Sequence, residues 1–398
     1  MKHYILILAS LALSISAVAQ PKPEVTNPLE RPYETHEDRT EIIIPMVNGL
    51  NVYKTDFHMH TIYSDGEVTP SMRVVEAWYD GLDAIAITDH MEYRRIERDE
   101  LFDYMNKYIR PEIREAVNTN IMRQGPDEHG VLVDFNVAYK TAVQKASNYG
   151  LLVIRGVEIT RKKKGDYNAI FTTDNNAIYS PSLEQTIRNA RSQGAFIVHN
   201  HPDYDPKSPN YLTSTPNDLY AKGLIDGVEV ANSRKIYWHL FNHAISGGYT
   251  PMANSDNHEF IYWKYGRPSD YDIPRYRNMN LILAKSLTAN DLRDALRAGN
   301  TIAYSNNNLI SKCELLKALF EASVEFKIQR TASTRHHVTV VNRSSLPYYF
   351  QIGNKEYILN AMGALHFNLP KDVEDITVTV LNMWYGNNEH PTIDFKLK

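Results

Sequence analysis

Histidine and acidic residues recur at short spacings in this chain, and the first group contains His58 and His60. A β-prone run, Val52 to Phe57, leads into the pair. Because residues two apart on a strand face the same side, both imidazoles point one way. Imidazole nitrogen is the commonest side-chain ligand of zinc and related metals, and the turn that follows can return the Asp65 carboxylate to them. The pair alone is also common on surface strands, so a metal site requires further ligands.

Four later apolar runs carry or precede further residues of the same kinds. The candidates are Asp89 and His90, Glu158, His199 and His201, and Asp256 and His258. Glu158 lies inside an apolar run, where an unpaired carboxylate is costly and needs a cationic partner. Together with His58 and His60 the chain has five such groups, which is more than the packing of strand ends would explain. The set therefore predicts a metal site whose ligands come from several strands.

Predicted strands and helices alternate along the middle of the chain. The predicted strands are 83–87, 151–154, 156–160, 168–172, 195–198, 224–230, 249–253 and 279–283. The predicted helices are 70–79, 100–118, 134–149, 183–193, 234–246 and 291–298. This alternation favours a parallel sheet with right-handed crossovers, closed as an α/β barrel. In such a barrel the chemistry gathers at the C-terminal strand ends, where these residues fall.

The ordered set of motifs resembles the PHP family, which is named for its polymerase and histidinol phosphatase members. The motifs are Asp56-x-His58-x-His60, Thr88-Asp89-His90, Gly156-x-Glu158, His201-Pro202 and Ser255-Asp256-x-His258. The resemblance covers roughly residues 51–311. It implies a distorted (β/α)7 TIM-like barrel, a cluster of two to three divalent metal ions and phosphoester hydrolysis.

The resemblance also implies a role for each matched residue. His58, His60 and Asp256 are similar to the ligands of one metal, and Glu158 to a carboxylate bridging it to a second. His201 resembles a ligand of the second metal, with Asp166 where many relatives carry a histidine; aspartate there changes site charge and metal preference. Asp65, His90 and His258 resemble the third set. Among these, Glu158, Asp256 and His201 are the predicted catalytic residues.

Three residues beside these ligands are predicted to support them. His199 competes with His201 for one ligand position, and we expect it in the barrel wall or behind the ligands. Asp56 and Asp89 precede ligands, where they either hold imidazole rings by hydrogen bonds or cap strand ends.

The predicted reaction is attack on phosphorus by a hydroxide held between the metal ions. Zn, Mn and Fe all suit these ligands, so the sequence does not identify the metal. Two other functions remain open. The first is a metal-dependent hydrolase of an amide or lactone, as in amidohydrolases, although a carboxylated lysine is expected there where this chain has Glu158. The second is a non-catalytic metal-dependent binding module.

Basic residues near the same strand ends predict an anionic substrate. The candidates are Arg94, Arg161, Lys162 and Arg234. Arginine pairs with phosphate oxygens in a forked geometry, which suits a small phosphoester. The formal charge is −4, so bulk charge does not indicate a nucleic-acid partner.

The first nineteen residues have the pattern of a cleavable signal peptide. Lys2 is followed by an apolar run, 5–13, and by Ala17-Val18-Ala19, a small-residue cleavage site. We expect a periplasmic or secreted protein with no membrane anchor after cleavage. Residues 20–50 are predicted to be an extension with one edge strand, 41–44. The single cysteine, Cys313, excludes an internal disulfide.

The chain changes character after the predicted hydrolase domain, residues 51–311. Residues 312–398 show short strands at 324–328, 337–341, 348–352, 365–369 and 376–381, separated by turn residues. These predict a small antiparallel β-sandwich-like domain. No catalytic set is evident in it, so a role in packing, at the substrate lip or in dimerisation is expected.

Overall fold

The structure is a computed structural model that describes residues 39–92, 134–161, 164–202, 214–331 and 334–396. The predicted signal peptide, residues 1–19, and the predicted helix 100–118 lie outside these ranges. None of the described helices is both long and apolar enough to cross a membrane.

The strands divide into three sheets. The strands are β1 (Asn51–Asp56), β2 (Ala84–Ile87), β3 (Leu152–Arg161), β4 (Gly165–Ile170), β5 (Phe196–His199), β6 (Gly227–Asn232), β7 (Lys235–Ile236), β8 (Thr250–Asn254), β9 (Met279–Ala284), β10 (Thr301–Ser305), β11 (Asn308–Ile310), β12 (Val324–Thr331), β13 (Arg335–Asn342), β14 (Tyr348–Ile352), β15 (Lys355–Leu359), β16 (Ala364–Pro370), β17 (Asp375–Val380), β18 (Met383–Trp384) and β19 (Thr392–Lys396).

The helices pack between and around these strands. The described helices are α1 (Pro70–Tyr79), α2 (Val137–Ala146), α3 (Leu183–Ser192), α4 (Ser214–Ala221), α5 (Leu240–Ser246), α6 (Ile261–Tyr265), α7 (Ala289–Arg297) and α8 (Cys313–Ser323), with 3₁₀ turns at Asn176–Ile178 and Pro268–Asp270. α1 begins as predicted, because the Thr69 side chain accepts a hydrogen bond from Met72 N and Pro70 occupies the first turn.

The largest sheet has 12 strands in the order β18-β11-β10-β9-β1-β2-β3-β4-β5-β6-β7, with β8 also paired to β6. The pairs β1–β2, β2–β3, β5–β6 and β6–β8 are parallel. The mixed α/β fold with a curled, TIM-like sheet and separate C-terminal antiparallel sheets confirms the predicted fold class.

Asparagine side chains link β8 to the opposite side of the curled sheet. Asn254 Oδ1 accepts hydrogen bonds from Phe57 N at 3.0 Å and from Asn280 Nδ2 at 2.8 Å. Asn280 Oδ1 in turn accepts one from Ala253 N at 2.8 Å. These buried amides bring β8 against β1 and β9, so the ends of these strands face one site.

Three sequence predictions about the sheet were wrong. β3 and β4 form an antiparallel hairpin with no helix between them, and β4 pairs antiparallel with β5 although α3 lies between these two strands in the chain, so this part of the sheet is not parallel. The predicted helix 234–246 is instead the short β7 followed by α5. Residues 41–44 form no strand; Ile43 N donates to Ser345 Oγ at 2.8 Å and Ile43 O accepts from Ser345 N at 2.7 Å.

The C-terminal region forms a three-stranded sheet, β12-β13-β16, and a four-stranded sheet, β15-β14-β17-β19. β18 leaves this region and pairs in parallel with β11 at the edge of the large sheet. One buried apolar cluster runs from Leu281 and Tyr304 in the large sheet, through Phe320 in α8, to Tyr348 and Val378 in the four-stranded sheet. The predicted boundary at residue 311 thus falls inside a continuous core.

Candidate metal centre

The predicted ligands from five strands lie together at one end of the large sheet. His58 and His60 directly follow β1, His90 follows β2, and His201 follows β5. Glu158 lies within β3, and Asp256 and His258 follow β8. The turn after His60 brings Asp65 to the same side, with Asp65 Oδ1 3.6 Å from His60 Nδ1.

Glu158 is the residue at which these side chains converge. Its Oε2 lies 3.0 Å from His90 Nδ1, 3.2 Å from His60 Nε2 and 3.4 Å from His58 Nε2. Its Oε1 lies 3.6 Å from His201 Nε2. Glu158 is fully buried. One carboxylate therefore faces four imidazoles, as a bridging ligand must.

The ligand atoms form three overlapping groups. The groups are His58, His60 and Asp256; His58, Glu158 and His201; and His60, Asp65, His90 and His258. The first is the predicted set for one metal, and the third is the predicted set with His60 added. Because His58 and His60 each belong to two groups, the three positions share ligands.

The orphaned oxygens in this cluster fit bound cations. Glu158 Oε2, Asp256 Oδ1 and Asp65 Oδ1 are buried and accept no hydrogen bond from the described part of the chain. Each lies 3.0–3.3 Å from a histidine nitrogen. A buried carboxylate oxygen without a donor is costly unless a positive charge stands beside it. Nitrogen and carboxylate donors together suit Zn, Mn and Fe.

The electrostatics of the cluster favour ionised carboxylates. Burial would raise the pKa of Glu158, but the charges of His90 and His58 hold it well below its ordinary value. Burial likewise opposes ionisation of Asp256, and His58 and His60 lower its pKa. For His58 the opposite holds: burial would lower its pKa, but the charges of Asp256, Glu229 and Glu158 raise it well above its ordinary value. The site therefore concentrates negative charge where a cation would bind.

Two residues hold the ligands in place, although the sequence did not identify them as supporting residues. His58 Nδ1 donates to Glu229 Oε1 at 2.8 Å, and His201 N donates to Glu229 Oε2 at 2.8 Å. Asn200 Nδ2 donates to Glu158 Oε1 at 2.7 Å. A carboxylate on the far nitrogen of a ligating imidazole fixes its tautomer and ring orientation. The position of Glu229 near a strand end was the only available sequence signal.

Of the two roles predicted for Asp56 and Asp89, their contacts fit the second, in which they bind groups at the strand ends. Asp89 accepts hydrogen bonds from Thr61 N at 2.6 Å and from Ser64 Oγ at 2.6 Å. Asp56 accepts from Ser255 N at 3.1 Å and pairs with the buried Arg277 guanidinium at 2.6 Å. Both carboxylates thus bind the loops that carry ligands rather than the imidazoles.

Helix α1 contributes one buried arginine that joins two of these loops. Arg73 donates to His60 O at 2.9 Å, Asn257 O at 3.0 Å and His258 O at 2.8 Å. It also donates to Glu259 O at 2.6 Å and to Glu76 Oε2 at 2.9 Å. One guanidinium therefore fixes the loops after β1 and β8 against each other.

Two of the ligands occupy backbone conformations that residues other than glycine rarely adopt. The φ angle is +24° at His201 and +47° at Asp256. Left-handed φ values at non-glycine residues cost free energy and cluster at functional sites. The hydrogen bond from Asp256 N to His58 O, 2.9 Å, helps hold the second of these.

Two remaining ligand candidates lie at the margin of the cluster. Asp166 Oδ2 is 3.9 Å from His201 Nδ1, and Asp166 belongs to none of the three groups. His199 is buried in the barrel wall, where its Nδ1 lies 2.9 Å from Tyr220 OH and its ring stacks on Tyr167. Burial lowers the pKa of His199 to about 3, so it stays neutral.

The predicted substrate-binding residues have different surroundings. Arg161 forms an ion pair with Glu92 and donates to Ser180 O at 3.1 Å, so its charge is already partnered. Arg234 is exposed and lines a cavity discussed below. Arg94 and Lys162 lie outside the described residues.

The family model described as "PHP domain" matches residues 56–232. This range contains Glu158 and every ligand of the cluster except Asp256 and His258. The chain carries a PHP domain. No curated protein matches the sequence significantly.

A solved structure resembles the PHP domain and the C-terminal region together. It is a two-domain protein from Bacteroides vulgatus containing a predicted PHP-like metal-dependent phosphoesterase, with 26% identity and a TM-score of 0.76. The alignment covers 91% of this chain and 99% of that one. The fold is therefore shared over nearly the whole length.

Two further structures are more distant. A putative metal-dependent phosphoesterase from Bifidobacterium adolescentis is 16% identical, with a TM-score of 0.34 over 56% of this chain and 92% of that one. A lesion-specific endonuclease from Pyrococcus furiosus is 17% identical, with a TM-score of 0.39 over 65% and 58%. Both likenesses are too weak to support an inference.

Proposed function

We propose that this protein is a metal-dependent phosphoesterase whose centre holds two to three divalent cations. The observation that carries the proposal is the convergence of three ligand groups on the buried Glu158 within a PHP domain. The structural likeness to a protein described as a PHP-like metal-dependent phosphoesterase supports the same reaction class. Zn, Mn and Fe are the candidate metals, because the donors are nitrogen and carboxylate oxygen.

The residues of the centre have separable tasks in this proposal. Glu158 and Asp256 supply the negative charge shared between metal positions, and His58, held by Glu229, keeps a fixed orientation between them. Cations held by these residues would supply an activated water and offset charge on the phosphoryl oxygens. The side chains of Asp65 and His258 are 41% and 32% exposed, so this side of the centre is open to substrate.

The same arrangement weighs against the two alternatives. A bridging carboxylated lysine is expected of an amidohydrolase, whereas here Glu158 lies between the histidines, with its two oxygens 3.0–3.6 Å from nitrogens of four imidazoles. The second alternative, a non-catalytic metal-dependent binding module, would need its metal only to hold the fold, and structural metal sites are closed by their protein ligands. Here the group containing Asp65 and His258 is partly exposed, which suits a reactive centre.

The experiment compares Glu158→Gln with wild type after metal loading, using a phosphomonoester, a phosphodiester, an anilide and a lactone. We expect wild type to hydrolyse a phosphoester and the variant to lose most of that rate while keeping its fold. The amide keeps the volume but loses the charge that bridges two cations. Glu184→Gln, on the exposed face of α3, is the matched control and should leave rate and metal content unchanged.

The readouts are metal content, melting temperature and turnover. Unchanged turnover in Glu158→Gln would remove this carboxylate from the reaction. Hydrolysis of only the anilide or lactone by wild type would replace the phosphoesterase proposal with the amidohydrolase-like one. Metal analysis finding at most one ion per chain would contradict the cluster. If two ions bind, the position beside Asp166 is the expected vacancy.

We further propose that the protein is exported and acts on a small anionic phosphoester. The signal pattern ending at Ala17-Val18-Ala19 supports export, and predicts a mature chain that begins near Gln20. N-terminal sequencing of the protein from its native cells tests this. Recovery of a cytosolic chain that keeps Met1 would contradict export.

A further inference from the structure

We infer that the substrate carries a second anionic group, which binds between Arg234 and Arg275 in a cavity beside the metal centre. This inference rests on the proposed phosphoesterase function and specifies its substrate class. The scissile phosphoryl group would lie at the metals, and the second oxyanion, a phosphate or a carboxylate, in the cavity.

The cavity has a volume of about 410 Å³ and mainly polar walls. It is lined by Arg234, Tyr265, Tyr271, Arg275, Tyr276 and Asn278, together with the loop after β10. Tyr265 OH donates to Ser233 O at 2.5 Å, and Tyr271 OH donates to Tyr265 O at 2.8 Å. These bonds fix two of the aromatic walls, so the cavity is preformed.

Two hydrogen bonds connect the cavity to the end of β8, the strand that leads into the metal centre. Asn254 O, at the end of β8, accepts from Asn278 Nδ2 at 3.0 Å and from Ser233 N at 3.1 Å. Asn254 stands two residues before the ligand Asp256. A substrate bound in the cavity would therefore lie beside the strand end that supplies this carboxylate.

The charge of the cavity is positive and uncompensated. Arg234 and Arg275 are both exposed, and neither forms an ion pair with a carboxylate in the described ranges. The Arg275 guanidinium lies 4.8 Å from the Tyr271 ring centroid, which orients it without neutralising it. No aspartate or glutamate lines the cavity.

The neighbouring Arg277 shows the contrast, because it is buried and paired with both Asp56 and Asp80. The structural Arg277 thus has acidic partners, whereas the two arginines in the cavity have none among the described residues. Guanidinium groups on an open polar cavity are suited to bind phosphate or carboxylate oxygens through charge-assisted hydrogen bonds.

The test measures binding of non-hydrolysable ligands to the metal-loaded full chain by calorimetry. Two series with two to six carbons, ω-phosphono- and ω-carboxyalkylphosphonates, are compared with alkylphosphonates of the same length. The phosphonate shared by all ligands reports on the metal centre, and the added group reports on the cavity. The better of the two series identifies the preferred oxyanion.

We expect at least one bifunctional ligand to bind ten-fold or more tightly than its alkyl counterpart. Arg234→Gln and Arg275→Gln should each remove most of that advantage and change alkylphosphonate affinity less than two-fold. Arg335→Gln, an exposed arginine of β13, is the matched control and should change neither affinity. Melting temperatures establish that each variant is folded.

Two results would overturn the inference: no chain length in either series binding more tightly than the alkyl ligand, or equal losses for both ligand types in the variants. The second result would mean that the arginines act only through the general field of the site. If the protein binds the bifunctional ligands more tightly than the alkyl ligands but hydrolyses no phosphoester, the cavity assignment stands and the proposed reaction is refuted.

Discussion

At the residue scale, Glu158 and Glu229 show how two fully buried carboxylates of one site acquire different roles. Glu229 accepts hydrogen bonds from His58, His201 N, Asn232 and Asn254. Glu158 Oε2 accepts none from the described residues, although three histidine nitrogens surround it. When both oxygens of a buried carboxylate accept hydrogen bonds, the carboxylate holds the donor groups in position. When one oxygen accepts none, the carboxylate requires a cation beside it.

Replacement of Glu229 by glutamine should therefore weaken metal binding without removing a ligand. The amide would place an N–H₂ group against at least one existing donor, so the His58 ring loses its fixed tautomer. We expect metal affinity to fall about 10–100-fold. Competition with a chromogenic chelator measures this, and Glu184→Gln is again the control. Metal affinity equal to wild type would show that Glu229 has no part in orienting the ligand.

The sequence identified most of the ligands because short spacings fix which side chains share a strand end. His58 and His60 are two apart, as are Asp256 and His258, and such pairs need no knowledge of the remaining fold. The roles of Glu229 and Arg73 could not be predicted in this way. Their partners lie far away in the chain, at His58 and at His258 respectively, and only the closed sheet brings them together.

At the element scale, helix α1 connects the two loops that carry five of the ligands. Its N-terminus is set by Thr69 and Pro70, and its buried face presents Arg73 to the carbonyls of both loops. The guanidinium has five N–H donors in one plane. It can therefore donate hydrogen bonds to several carbonyl oxygens at once, which no other side chain does equally well.

The substitution Arg73→Lys should show this dependence. Lysine has three donors and no planar fork, so at least two of the buried acceptors would lose their partner. We expect a loss of about 2–4 kcal/mol in the free energy of unfolding, measured with urea. Arg188→Lys, on exposed α3, should change it by less than about 0.5 kcal/mol. Similar values for the two variants would contradict the role of Arg73.

Elements whose ends carry local signals were predicted well, and those determined by distant pairing were not. α1 and β5 were predicted within a residue or two. The β3–β4 hairpin was missed because the alternation of strands and helices along the chain favoured parallel pairing throughout. α8 was missed because its apolar residues also fit the strand pattern of the region that follows.

At the scale of the whole molecule, the large sheet and the C-terminal sheets share a core. Phe320 of α8 contacts the rings of Tyr348, Phe350 and Phe395 from the four-stranded sheet. The same apolar cluster reaches Leu281 and Met279 in β9. Burial shared across a boundary couples the unfolding of both sides.

We accordingly expect a single calorimetric unfolding transition for the chain, in both metal-free and metal-loaded protein. Metals bind the native state, so saturation should shift this whole transition upwards as RT ln(1 + [L]/Kd) requires. Addition of a chelator should reverse the shift. Two transitions, of which only one responds to metal, would show that the C-terminal sheets unfold independently of the metal centre.

The pairing of β18 with β11 also has a consequence for synthesis. Leu309 N and Ser311 N donate to Asn382 O and Trp384 O, and the Trp384 ring packs against Trp238 beside α5. Met383–Trp384 follow β11 far along the chain, so the ribosome makes them well after this strand. Until then the outer edge of β11 has unpaired backbone groups, and an open strand edge is a template for strands of other chains. The nascent protein therefore depends on the later synthesis of β18, or on a chaperone, to protect that edge.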